Sequence, residues 1–580
     1  MMKKLLALLL SLCLCLSMLS ACGGSKPEAG ANDGFTFNNQ ETTEPVQTPT
    51  TEPPVAESTE PPTEPEPTEP EPPLEDVPSA EELLVYTLTE EEVDLFYTEL
   101  SALYEMCVAG EDLDVIDEQE AYVEDLYEAI SDQGSIASVL YYCDMADEEL
   151  KQQHLDTTDI ITEAYDTYMQ TIREIYLLDT PANDVIFETW TEKELEMLTR
   201  YTSEVAELEK RNEEIVVEYQ ALSDFEMEEG IIPLYKELIL NNNRIAQIYG
   251  FANYYEYAYE MVYERDYGIE SVEIARAYAQ QYFPEAIMLA LEEFSMRFQE
   301  LPQKEQILIA NFMEGDREDL KEDYLQNYFD SLPAELRQDM MHMQTYDRAV
   351  YATDKDARDG AFTTTIGGTP ICYYSNGYTG ILTFAHEIGH YSAALNMELG
   401  DIPLDLAELH SQGNEWLFIR YMKDVLPYNT YTALRDYKLY MDMSTITISF
   451  MVDEFEQIVY TDPNIANYTL EDFEAAADKV TANYGGSGFV SDYITDFQYY
   501  WRMVVMEQPI YYISYGVSDL AALNLYTISV NDQAGAIDIY TKLTRELDTE
   551  KGFQENLKDA GLAGPFAEDV YKSIYRIYSK

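Results

Sequence analysis

Positive charge is scarce: 34 lysines and arginines stand against 111 aspartates and glutamates, a formal net charge of −77. Phosphate backbones are held by concentrated Lys and Arg, so nucleic acid is excluded as a partner. The acidic balance gives solubility and repels anions, which leaves neutral or basic ligands the easier approach. Cysteine is also rare. Three of the six lie in the first 22 residues, and Cys107, Cys143 and Cys372 are too few for a disulfide scaffold, so stability must come from the core. A single Cys107–Cys143 bridge stays open as an alternative. Beyond the N-terminus no run is apolar enough to cross a bilayer, which takes about 20 residues. Histidine occurs only five times in 580 residues.

Apolar residues are plentiful, at 46% with 49 tyrosines. They imply a globular body with an aromatic core, long enough for several domains or for one large helical body with a deep interior. Lys3 and Lys4 precede a short apolar run that ends in Leu19-Ser20-Ala21-Cys22. This is the pattern of an export signal with a bacterial lipobox, removed over residues 1–21 to leave Cys22 as a lipidated N-terminus. The expected location is therefore extracytoplasmic, with the chain anchored to the bacterial cell membrane through that lipid. Residues 22–80 are rich in Thr, Glu and Pro, as in "TEPPTEPEPTEPEPP". Such a segment cannot bury enough apolar area to order itself, and its prolines favour polyproline II at about 3.1 Å per residue. It reads as a disordered tether.

From residue 81 onward helical spacing dominates. Thr191 and Glu194 form a capping-box pattern, followed by Val205, Leu208, Asn212, Ile215, Tyr219 and Leu222 at steps of three and four, which predicts one arm of a long helical hairpin with residues 150–178 as its partner. The β-branched and aromatic stretch "GAFTTTIGGTPICYYSNG", residues 360–377, predicts a sheet of two or three short strands. Directly after it, "TFAHEIGH" places His386 and His390 four residues apart on a helix expected over 380–397 with Gly400 as C-cap. Both imidazoles then share a face and reach one ion, while Glu387 is placed to act as a base.

A tetrahedral zinc site with an open position needs a third protein ligand. Pro403 opens a second helix on which Glu408, Ser411, Gln412 and Glu415 form one polar stripe, and Glu408 is the expected ligand. Glu415 is the candidate to support the site from behind, and His410 reads as structural.

These segments carry a resemblance. "GAF" at 360–362, "TFAHEIGH" at 383–390 and "AELHSQGNEW" at 407–416 resemble the thimet oligopeptidase and oligoendopeptidase F family of zinc metallopeptidases. "NRIAQIYGFANYYEYAYE" at 243–260 and "PIYYISYGVSDLAAL" at 509–523 are similar to the oligoendopeptidase branch. The resemblance implies a mainly α, two-lobed helical body with a deep channel and a small sheet beside the histidine helix. It divides the chain into a helical N-terminal lobe over 81–234 and a catalytic domain over 235–580. It further implies one zinc ion held by His386, His390 and Glu408, Glu387 as general base, and Tyr511, Tyr512 and Tyr515 as candidates to stabilise the transition state. The substrates would be short peptides pairing with the edge strand around "GAFTTTI". Two departures stand out: no histidine follows His410, and Thr363 replaces the family's cysteine. The expected function is a zinc-dependent endopeptidase acting on oligopeptides outside the cytoplasmic membrane through metal-activated water. The alternatives are a peptide-binding lipoprotein of the same fold with little or no turnover and, less favoured, a solute-binding transporter component.

Overall fold

A computed structural model of the chain describes residues 77–578 except 221, 223–226, 315–317, 376–379 and 398–401. The export signal, most of the tether and the expected cap Gly400 lie outside these residues.

Thr89 accepts from the Glu92 N–H and Glu92 reaches back to Thr89, a complete capping box that starts the helix Glu90–Ala109; Gly110 ends it with a left-handed φ of 67°. Leu113–Cys143 and Glu148–Leu177 pack on this helix and on each other. Their shared core contains Phe96, Leu103, Val123, Tyr168 and Ile172, all buried. The expected hairpin is corrected here. The Thr191–Glu194 capping box is present, but its helix stops at Arg200, where Tyr201 turns extended, and a new helix runs over Ser203–Gln220. That second helix pairs with Met227–Tyr249, whereas Glu148–Leu177 pairs chiefly with Leu113–Cys143. The side chains explain the break: Val205 faces the N-terminal core while Ile215 and Tyr219 face the main one, so no single arm serves both. Cys107, Cys143 and Cys372 are free thiols.

Three strands form one sheet in the order β1-β3-β2, from β1 (Ala349–Ala352), β2 (Ala361–Ile366) and β3 (Thr369–Ser375). β1 runs parallel to β3 and β2 antiparallel to it. Gly367 and Gly368 both have positive φ, the requirement of a two-residue primed turn, and they fix Ile366 opposite Thr369. In that register alternate residues bond across the ladder, so the backbone groups of Ala361, Thr363 and Thr365 point off the β2 edge. The sheet is covered on both faces. Phe362, Ile366, Ile371 and Tyr373 pack with Ile136, Val139 and Tyr142 of the Leu113–Cys143 helix, and Ala361, Cys372 and Tyr374 pack into the main core.

The main core is built around four helices, named here for what they carry: the histidine helix Ile381–Ala394, the glutamate helix Leu404–Val425, the central helix Tyr428–Thr461 and the tyrosine helix Ile513–Ser529. The histidine and glutamate helices touch backbone to backbone. A Cβ at Gly389 would lie 2.5 Å from the His410 carbonyl oxygen and 2.7 Å from Ser411 Cα. Asn414 fixes the same crossing by donating to the Ala385 carbonyl at 2.6 Å, and Tyr328 holds Asn414 through a 2.8 Å hydrogen bond. No helix among the described residues is long and apolar enough to cross a membrane.

Gly389→Ala is expected to force the two helices apart and to destabilise the fold by about 1–3 kcal/mol, the usual cost of overpacking. A shift of the urea midpoint to lower concentration measures this; an unchanged midpoint would show that the contact tolerates a methyl group.

Candidate metal centre

Position 386 and position 390 lie one turn apart on the histidine helix, and Glu408 lies on the first turns of the glutamate helix directly across the Gly389 contact. The result is a triangle of ligand-capable atoms. His390 Nε2 is 3.3 Å from His386 Nε2, and the Glu408 Oε2 atom is 3.7 Å from His386 Nε2 and 3.8 Å from His390 Nε2. Ligand bonds of about 2.0–2.2 Å around a tetrahedral ion put neighbouring ligand atoms about 3.3–3.6 Å apart, so the triangle has the size that one small divalent cation requires. The group His386, His390 and Glu408 is also recognisable by ligand chemistry alone.

Burial supports the same fit. Glu408 is 1% exposed, its Oε1 has no hydrogen-bond partner, and burial raises its carboxyl above the ordinary range. A carboxylate in that position is costly unless a cation or donors compensate it. Burial likewise pushes His390 well below the usual imidazole value, which keeps its lone pair free.

Behind the triangle stands a chain of buried charges. His386 Nδ1 lies 2.7 Å from Glu415 Oε1, and Glu415 Oε2 lies 3.0 Å from Lys438 Nζ. Burial opposes the charge on Glu415, but Lys438 and the His386 hydrogen bond outweigh it and hold the carboxyl below its usual range. An ionised Glu415 can only accept, so His386 donates from Nδ1 and presents the Nε2 lone pair to the triangle. Lys438 is bonded in turn to Asp442 at 2.8 Å, and Trp416 Nε1 donates to Asp442 at 2.7 Å. Asp519 stands beside Asp442, and burial together with the Asp442 charge raises its carboxyl far above normal.

Glu387, on the same helix, meets the sheet. It is 1% exposed, and Thr363 of β2 donates to its Oε2 at 2.9 Å. Burial, the largest influence, pushes its carboxyl up to about 7. Cys372, opposite Thr363 in the strand register, sits 3.3 Å from the Thr363 hydroxyl, so the thiol absent from position 363 is found across the ladder, fully buried.

The polar stripe read from the sequence is real: Glu408, Ser411, Gln412 and Glu415 are all buried. His410 takes no part in the triangle; its Nε2 bonds the Leu543 carbonyl at 2.9 Å, as a structural residue should. The three tyrosines are brought to one another. Tyr511 and Tyr512 lie in the turn before the tyrosine helix and Tyr515 in its first turn, with the Tyr511 and Tyr515 hydroxyls 3.4 Å apart. Tyr512 bonds Tyr500 instead. The helix that carries Tyr515 packs along the glutamate helix. Lys438, Asp442, Asp519 and Asn414 escaped the sequence reading; the signal for the first two was a lysine and an aspartate four apart on the central helix.

No protein-family model matches the chain, and no curated protein sequence does. Solved structures do. The chain superposes on Pz peptidase A, solved with an inhibitor, with a TM-score of 0.67 at 17% identity, over 86% of this chain and 99% of that one. This is the oligoendopeptidase fold. A Bacillus anthracis protein designated oligoendopeptidase F gives a TM-score of 0.60 at 17% identity, covering 85% of this chain and 96% of that one. Oligoendopeptidase F from Enterococcus faecium gives 0.52 at 12%, covering 85% and 98%. The mainly helical architecture with a small sheet is thus shared along nearly the whole length of these neighbours.

Lys438→Met leaves Glu415 and Asp442 buried without their cation and is expected to cost about 3–5 kcal/mol. Adding Asp442→Asn should return part of that loss, because it removes one uncompensated charge. Denaturant titration of the single and double variants checks the sign; a double variant less stable than the single one would refute this account of the charge chain.

Proposed function

We propose that the protein is a zinc-dependent endopeptidase acting on oligopeptides. The observation that carries the reading is the triangle of His386, His390 and Glu408 atoms, 3.3 to 3.8 Å apart, with buried Glu387 on the adjacent helix position. Two imidazoles and one carboxylate suit zinc, with one ion per chain and a fourth position left open. Zinc in that site would supply Lewis acidity toward a scissile carbonyl and toward water. The rest of the chemistry belongs to the chain. Glu387 takes a proton from the attacking water and passes it to the departing amine; a carboxyl raised to about 7 is suited to both transfers near neutral pH. Thr363 steadies that carboxylate through Oε2. The open edge of β2 offers the backbone groups of Ala361, Thr363 and Thr365 to an extended peptide, in the manner of strand addition. Tyr511, Tyr512 and Tyr515 are the proposed donors to the oxygen that becomes negative in the transition state.

The same reading assigns residues 81–234 to a helical lobe and 235–580 to the catalytic part. It takes residues 1–21 as an export signal, Cys22 as the lipid-bearing residue and 22–80 as a tether, which puts the enzyme outside the cytoplasmic membrane. The rival is a peptide-binding lipoprotein of the same fold without turnover. Glu387 argues for the enzyme, since binding alone requires no buried base beside the ligands.

Incubation of the full-length protein with a mixed peptide pool, with and without chelator and with products read by mass spectrometry, tests the proposal. Chelator-sensitive cleavage is expected, and intact peptides in every arm would leave the binding protein. Glu387→Gln should keep the metal while lowering turnover by about 10²-fold or more, because it removes the base and no ligand. Glu408→Ala should instead release the metal on dialysis, as a site loses one ligand of three. Full metal retention by that variant would show that another residue completes the triangle.

A further inference from the structure

Three conformational irregularities converge on one side chain. A π-helical turn, Ala258–Val262, ends just before Glu264, which holds a left-handed φ of 44°. Far along the chain, Ile510 holds φ at 65°. A β-branched residue in that region is a true outlier, and such conformations persist only where the surroundings impose them. π-Turns too concentrate at functional sites. What lies between the two segments is the guanidinium of Arg265, whose side chain is 1% exposed.

Two aromatic rings pack against the Arg265 guanidinium, which also bonds the chain before the tyrosine helix. The rings of Tyr259 and Tyr263 sit 4.6 and 4.5 Å from its Cζ. Its Nη2 donates to the Ile510 carbonyl at 2.9 Å and to Ser514 Oγ at 3.0 Å. The peptide unit on the other side of the Ile510 Cα is fixed as well, since the Ile510 N–H donates to buried Glu456 at 2.8 Å. One residue earlier, Tyr263 donates to the Pro509 carbonyl at 2.8 Å. Ile510 is thus held at its C=O by the Arg265 guanidinium, from the loop after the π-helical turn, and at its N–H by Glu456 of the central helix, immediately before Tyr511. Arg265 also faces Asp405, at 4.0 Å, in the first turn of the helix that carries Glu408. A relaxed backbone at Ile510 would leave the helix start in another direction and aim Tyr511 and Tyr515 elsewhere.

We infer that Arg265 is a positioning residue for catalysis: by holding the left-handed turn at Ile510 from the loop that follows the π-helical turn, it sets where the Tyr511 and Tyr515 hydroxyls stand relative to the helix of Glu408. This rests on the proposed role of those tyrosines in peptide hydrolysis. Geometry is required here in addition to charge. A planar fork packed against two rings reaches Ile510 and Ser514 together, and an ammonium cannot reproduce that arrangement.

Arg265→Lys separates the two contributions, because it keeps the charge facing Asp405 and loses the fork. In the full-length, metal-loaded protein, amide hydrogen exchange over residues 509–516 is expected to speed up about tenfold or more while the glutamate helix stays protected. Turnover of a peptide cleaved by the wild type should fall about 10- to 100-fold with KM and zinc content unchanged, the pattern of a weakened transition-state contact. Arg265→Met serves as the charge-free comparison and should exceed the lysine variant in both effects. Wild-type exchange over 509–516 in Arg265→Lys would overturn the inference, as would wild-type turnover. The exchange measurement needs no substrate: faster exchange in a protein that cleaves no peptide would sink the proposed function and leave the structural role of Arg265 standing.

Discussion

Two helix backbones in contact at Gly389 decide how far every side chain of the centre has to reach. With the His410 carbonyl where a Cβ would otherwise be, the histidine and glutamate helices approach more closely than side-chain packing permits. Glu408 then closes a triangle with two imidazoles. Asn414 and Tyr328 add direction to this proximity, since their hydrogen bonds fix the rotation of one helix against the other. The glycine inside "HEIGH" is therefore as necessary to the site as its histidines, though it touches no ligand.

The second constraint is the placement of the few positive charges. In a chain so dominated by acids, buried basic residues are set against buried carboxylates: Lys438 between Glu415 and Asp442, Arg276 against Asp453, and Arg265 facing Asp405. Each compensates charge that would be costly to bury unpaired. Lys438 has the most direct effect, since it keeps Glu415 an acceptor and thereby fixes which nitrogen of His386 is available. The surplus of acids is left to the surface, where water carries the cost.

Much of this was legible because local rules and tertiary demands agree. The capping box at Thr191, the paired glycines at 367 and 368, the helix that Pro403 opens and the inward stripe from Glu408 to Glu415 all follow from short-range chemistry. What failed was pairing at a distance. Nothing in the periodicity from Val205 to Leu222 says that Val205 and Ile215 belong to different cores, and so the hairpin was drawn with the wrong partner. Lys438 and Arg265 were missed for a related reason: a buried charge is identified by its partners, and although Asp442 lies four positions from Lys438, Glu415 lies roughly twenty from it and Ser514 roughly two hundred and fifty from Arg265. Thr363 marks the boundary. It looked like the loss of a cysteine, and only the strand register revealed Cys372 beside it.

The sheet has no surface of its own to spare. One face rests on the core of the histidine helix and the other on Ile136, Val139 and Tyr142, and Asp132 of that same N-terminal helix bonds the backbone of Gly367 at the hairpin tip. In mechanical terms β2 is a leaf clamped between two plates. From that clamped hairpin the Thr363 hydroxyl reaches both the carboxylate and the backbone carbonyl of Glu387, so the seat of the carboxylate is built from the N-terminal helices as well as from its own helix.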